Sequence, residues 1–337
     1  MSSPKVWLNG PLVKAIPWLA GFVLLLAAIG SLFIGRVDIA PSEILHGLTS
    51  PDLSLAGLVV SELRLPRAIL AILVGASLGL SGAVLQGLLR NPLAEPGLLG
   101  VTSGAAVGAV VAIYFGLTQV IGLAAPLLGL VGAMGAGGLT LAFGRGGTIT
   151  LILAGAAVSS LMAAILALAL NFAPSPYAAY EITVWMLGSL SERGWDHIVL
   201  VAPFILGGLA ILSRMGRAMD ALALGEVQAA SLGIDLNRTR LMALIGVALS
   251  VGAATSVTGA IGFIGLVAPH LVRPLVGHQP GRTLLPSALL GAALLLVADI
   301  LTRVIHTSSE LRLGVVTSLI GAPFFFWLVL RLRKTAP

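Results

Sequence analysis

The chain has 337 residues; 58% are hydrophobic, a further 42 are glycine, and only 9% carry a charge. Its 19 Lys and Arg with 13 Asp and Glu compare with roughly 80 charged side chains in a water-soluble chain of this length, too few to coat a surface facing water. Cysteine is absent, which excludes disulfides, thiolate catalysis, iron–sulfur ligation and Cys-type zinc sites, and the net charge of +6 is scattered rather than gathered into a run that tracks nucleic-acid phosphates.

Lys5 and Lys14 precede an apolar stretch over 15–35, an outline shared with signal peptides. At about 20 residues it is longer than a signal core and many spans follow, so it reads as a retained first helix. Further apolar stretches follow at 66–89, 97–115, 120–143, 149–171, 196–212, 240–259, 261–273, 284–304 and 313–331, which makes ten. Each has about the length needed to cross the hydrocarbon except 261–273, which carries Gly262, Gly265 and Pro269. That segment reads as a half-helix, since irregular backbone at membrane depth must be covered by protein or line a cavity. Two re-entrant segments would reduce the crossings to eight. The chain is thus an all-α polytopic membrane protein of about ten transmembrane helices.

With ten crossings and both termini in the cytoplasm, 13 Lys and Arg fall inside and six outside, the latter being Arg36, Arg64, Arg67, Arg193, Arg303 and Arg312. That bias is the expected positive-inside signature. Gly75 and Gly79, like Gly100, Gly104 and Gly108, recur at four-residue spacing, a pattern that lets helices approach closely within one bundle. The stretch over 67–75 is echoed at 240–246 from the opposite side, as in the inverted repeats of transporters, although apolar helices also match by chance. Between spans, 36–63 is acidic and external, and 172–195 has room for a short helix along the outer surface. The loop over 213–239 is the longest on the inside. Its apolar residues recur at helical spacing and Gly225 and Gly233 divide it into two short helices, either a knob that fits a groove on another protein or an amphipathic surface loop.

The energy source is constrained by what the residues allow. Lys5, Lys14 and Lys334 are the chain's lysines and none ends a G-x-x-x-x-G-K-[ST] run, so no P-loop binds ATP here. Ion-coupled carriers place ionisable residues in their spans, and here Asp299 is the clearest acid in one. Arg303 lies four residues on, so an ion pair along one helix face is the plainer reading, with a proton-coupled secondary transporter as the alternative class. His270 falls at a helix end and His278 and His306 in loops. No histidine pair or carboxylate cluster has metal-ligand spacing, so no resident metal or cofactor is expected, and a transported metal arrives already chelated.

Seven stretches in order resemble the permease family of type II binding-protein-dependent ABC importers (FecCD-type), which take up vitamin B12, ferric siderophores and haem. They are Arg64-Leu-Pro-Arg67; Gly82-Ala-Val-Leu-Gln86 with Asn91-Pro-Leu-Ala-Glu-Pro-Gly-Leu-Leu-Gly100; Trp185-Met-Leu-Gly188-Ser; Ala223-Leu-Gly225-Glu226; Gly259-Ala-Ile-Gly-Phe-Ile-Gly-Leu-Val-Ala-Pro-His270; Leu285-Pro286 with Ala298-Asp299; and Gly314-Val-Val-Thr-Ser-Leu-Ile-Gly-Ala-Pro323. The resemblance implies that 1–337 is one transmembrane permease domain in the bacterial inner membrane. It implies a homodimer around a central pore, two cytoplasmic ATP-binding cassette subunits and an external substrate-binding protein. It makes 213–239 the coupling-helix loop, with Leu224, Gly225, Glu226, Ala229, Leu232 and Gly233 facing the ATPase. It places the cytoplasmic gate at Asn91, Leu93, Thr148 and Ile149, and binding-protein docking at Arg64, Arg67 and Arg303. The implied cargo is a ferric siderophore or similar bulky chelate, with cobalamin or haem as the alternatives.

Overall fold

A computed structural model describes residues 11–49, 54–305 and 311–335. Among these the chain is helical, without a strand. The helices are α1 (Pro11–Phe33), α2 (Pro41–Thr49), α3 (Leu55–Leu88), α4 (Val101–Tyr114), α5 (Ala124–Phe143), α6 (Thr148–Asn171) and α7 (Pro176–Met186). They continue with α8 (Trp195–Ser213), α9 (Gly216–Leu222), α10 (Glu226–Ser231), α11 (Leu236–Thr258), α12 (Ile264–Val272), α13 (Pro280–Val304) and α14 (Leu313–Thr335). Seven are long and apolar enough to cross a membrane: α1, α3, α5, α6, α8, α11 and α13. The shorter apolar helices α4, α12 and α14 fall on the remaining three of the ten stretches. The half-helix over 261–273 is α12, nine residues long.

Burial divides the helices into centre and periphery. In α3 and α11, 78% of the apolar window is covered by protein, whereas in α1 only 17% is. Glycine sets the closest contacts. A Cβ on Gly75 would lie 2.5 Å from the Gly291 carbonyl oxygen and one on Gly79 only 2.1 Å from that of Ser287, so α3 and α13 touch backbone to backbone. Gly104 and Gly108 do the same for α4 against α5, meeting the Gly132 and Leu128 carbonyls. The spaced glycines therefore join helices within the chain, where lipid supplies no hydrophobic drive to association.

Two breaks in the helices meet. The turn Pro96–Leu99 precedes α4, and residues 259–263 separate α11 from α12, with Gly259 at φ 72° and Phe263 at φ 67°. Glu95 and Phe263 line one small cavity between the breaks, which brings one break beside the other. Thr140 Oγ1 donates to the Leu99 carbonyl at 2.9 Å and satisfies an acceptor that the interrupted helix leaves open. Ser81 and Ser250 Oγ, 3.3 Å apart, link the two central helices.

Between the spans, α7 occupies the 172–195 stretch, with Ser175 as N-cap accepting the Ala178 N–H. The loop over 213–239 forms two short helices, α9 and α10. Gly225 separates them at φ 118°, and Gly233 at φ 83° ends the second; both are conformations that a side chain resists. The division at Gly225 and Gly233 is the one expected from the sequence.

Candidate functional site

Glu226 opens α10 and is held by two other parts of the chain. Its carboxylate accepts a hydrogen bond from Thr148 Oγ1 at 2.6 Å and pairs with Arg240 at 2.9 Å. Thr148 is the first residue of α6, and Arg240 lies in the first turns of α11. The Thr148 hydroxyl, then Arg240 and Arg90, hold the carboxyl below the usual carboxylate range. A lowered carboxylate pKa means the bridge is complete above that range and is lost only as pH falls through the lowered value. Neutral pH lies well clear of that window, so contacts of the loop with the chain are expected to be unchanged between about pH 6 and 8. Hydrogen exchange of the 216–231 amides at the two pH values, corrected for intrinsic rate, checks this.

The six residues expected to face an ATPase divide into two kinds. Leu224 and Leu232 are exposed, 63% and 64%, and so is the neighbouring Val227 at 76%, giving an apolar knob. Ala229 is fully buried and seats the knob on the body, while Gly225 and Gly233 provide its two bends and Glu226 turns inward to Thr148 and Arg240. Of the expected gate residues, Asn91 accepts the Leu93 N–H at 2.9 Å through Oδ1, closing a tight turn just past α3. Ile149, beside Thr148, is 76% exposed. The structure thus joins the expected gate residue Thr148 directly to the loop over 213–239.

The three expected docking arginines line one cavity of about 500 Å³ together with Arg36, Glu62, Glu192 and Arg193. Arg64 and Arg303 are each only 5% exposed. Arg64 donates to the carbonyls of Leu32, Phe33 and Val37 at 2.7, 3.2 and 2.6 Å. Arg303 donates to the carbonyls of Ser31 and Ile34 and to Ser31 Oγ at 2.6 Å. A helix ends with four carbonyls lacking intrahelical donors, and here two guanidinium groups supply them for α1. Arg67 keeps partial exposure and reaches Asp299 at 2.8 Å, while Arg303 reaches the same carboxylate at 2.6 Å. The Asp299–Arg303 pair along one face of α13 is present, and Arg67 of α3 makes it a triad.

His270 packs edge-on against Phe324 with ring centroids 5.6 Å apart, His278 lies in the turn after α12, and His306 lies outside the described residues. Among the described residues no group of three His, Cys, Asp or Glu is placed to hold a metal ion. One residue near the loop escaped the sequence reading: Asp220 on α9, whose Oδ1 accepts the Gly281 N–H at 2.7 Å and whose Oδ2 accepts from Gln279 Nε2 at 2.8 Å. Its partners lie about 60 positions away, and no local spacing announces them.

The sequence profile of the FecCD transport family matches residues 23–331. The vitamin B12 import system permease protein BtuC of Salmonella arizonae is 40% identical over 323 residues, 94% of this chain and 95% of that protein. The hemin transport system permease protein HmuU of Yersinia pestis is 37% identical over 324 residues, 93% of this chain and 96% of that protein. In three dimensions the chain is similar to a metal-chelate type ABC transporter solved in an inward-facing conformation, with TM-score 0.84, 31% identity and coverage of 94% and 99% of the two chains. Ten apolar segments in this order, a loop of two short helices bound to the start of α6 and a match across nearly the whole chain lead to one identification: the protein belongs to the FecCD transport family and is a membrane permease of an ABC importer.

Proposed function

We propose that this permease, as a homodimer with both termini of each copy in the cytoplasm of a bacterial cell, moves a bulky metal chelate inward across the inner membrane. Permeases of type II importers work with ATPase and binding-protein partners. In this reading an ABC ATPase grips the loop over 213–239 through Leu224, Val227 and Leu232, and a substrate-binding protein docks over the arginine cavity at Arg64, Arg67 and Arg303. The whole chain acts as one permease domain, and α6, whose first residues form the gate with Asn91 and Leu93, faces the second copy across the pore.

The observation that carries this reading is the 2.6 Å bond between Thr148 and Glu226, because it gives a force applied to the knob a direct route to the gate turn. Carboxylate and hydroxyl belong to helices that otherwise begin 78 residues apart. Asp299, the one acid that suited a proton carrier, is already paired with two arginines, which supports external ATP-driven power over ion coupling.

Glu226→Gln keeps the shape and removes the charge facing Arg240 and Thr148. ATP-driven uptake by the reconstituted assembly should fall about tenfold, the scale of a charged hydrogen bond discounted for partial exposure, with ATPase co-purification retained. Unchanged uptake would remove Glu226 from the coupling route.

Cargo is read from the binding protein. A ferric siderophore is the leading class, and the similarity to BtuC and HmuU keeps cobalamin and haem as the second reading. The visible spectrum of the ligand that co-purifies with the cognate binding protein separates the three, since ferric-siderophore, corrin and haem chromophores differ.

A further inference from the structure

The knob is tethered to the body at a second point, far from Thr148. Asp220 on α9 caps the start of α13: it accepts the Gly281 N–H and the Gln279 side-chain amide, the residue just before the helix. The fit is close, because a Cβ on Gly281 would lie 2.7 Å from Asp220 Oδ2 and 2.9 Å from the Gly216 carbonyl. The 25-residue helix α13 then spans about 37 Å and ends outside at Asp299 and Arg303. Its interior contains Pro286, where a helix loses a backbone bond and bends easily. The bend point is braced, since Gly79 of α3 sits against the next carbonyl, that of Ser287, and Gly75 against that of Gly291. On α3 the contact with α13 closes at Arg67, which shares Asp299 with Arg303. One glycine-sealed pair of helices therefore has the arginine cavity at its outer end and the loop tether at its inner end.

We propose that Asp220 is a positioning residue for transport: it fixes the ATPase-facing loop to α13, so that engagement of the arginine cavity outside is felt by the ATPase inside through the α3–α13 pair. This rests on the coupling role proposed above for 213–239. A carboxylate suits the task because both its oxygens accept and both are used, one by backbone and one by a side chain. Loss of the tether removes the carboxylate bonds that fix α9 to the start of α13 and uncouples the outer end from the knob.

The test uses the complete assembly of permease, ATPase and binding protein in lipid, with ATP hydrolysis measured with and without binding protein. Asp220→Ala removes both bonds. Gln279→Asp is the control for local stability: aspartate at that position caps α13 itself, while its charge repels Asp220 and opens the tether. Both variants should assemble and keep basal hydrolysis, bind the binding protein with unchanged affinity, and lose at least four-fifths of its stimulation of hydrolysis. Stimulation at the wild-type ratio in either assembled variant would overturn the proposal. Failure of both to assemble would also overturn it, making Asp220 a folding residue. A wild-type assembly without any stimulation by binding protein would instead remove the coupling reading on which the proposal rests.

Discussion

Replacing Asp299 by Asn is expected to remove most folded permease from the membrane. Asp299 is fully buried and faces two guanidinium groups, Arg67 at 2.8 Å and Arg303 at 2.6 Å, whose side chains are only 16% and 6% exposed. Taking away one partner of a buried pair leaves charge without compensation, a loss of about 3–5 kcal/mol, against a total stability of about 5–15 kcal/mol for a typical domain. The damage also spreads, because Arg303 holds the end of α1 through Ser31 and Ile34 and is oriented by Asp299. Permease recovered as a monodisperse species from solubilised membranes should drop to a small fraction, with uptake falling in proportion. A proton carrier predicts the opposite division: Asp299→Asn present in normal amount and inert.

The second large effect belongs to glycine. A Cβ on Gly82 would lie 1.8 Å from the Gly265 carbonyl oxygen, a neighbour that is backbone and cannot swing aside. Gly82→Ala must therefore push α12 off α3 by more than an ångström. α12 is also packed against the turn before α4, since a Cβ on Gly265 would lie 3.0 Å from the Pro96 ring. The displacement also strains the contact between Gln86 and Arg273 that joins the same helices at their inner ends. Overpacking of this kind costs about 1–3 kcal/mol and more where backbone is the obstacle. Gly207→Ala is the comparison, since nothing lies within 4 Å of a Cβ there, and it should change stability by less than about 0.5 kcal/mol. Thermal unfolding in detergent should show Gly82→Ala lowered by many degrees and Gly207→Ala unmoved. Equal behaviour of the two would contradict the backbone contact.

Much of the architecture was legible because hydrophobic stretches report span length directly. The ten stretches fall on α1, α3, α4, α5, α6, α8, α11, α12, α13 and α14, and the short glycine-rich segment is the half-helix α12. Gly225 and Gly233 were readable because a positive φ inside a helical pattern is a local event. Partnership among polar groups was not readable. Glu226 is 78 residues from Thr148, Asp220 is 59 from Gln279, and Arg67 is 232 from Asp299. In a chain with so few charges each one finds its partner through tertiary packing rather than spacing. Arg64 and Arg303 show the consequence: topology placed them outside, but their guanidinium groups are spent on the carbonyls that end α1. Arg67 is the most exposed member of the three, and its charge is partly engaged by Asp299.

The central claim is that the power comes from another subunit. It is tested most directly by uptake into sealed vesicles that contain this permease without an ATPase, under an imposed pH or sodium gradient, and again after the ATPase, ATP and loaded binding protein are supplied. The account predicts no accumulation of chelate in the first case and concentrative uptake in the second. Accumulation driven by the gradient in vesicles lacking the ATPase would contradict it.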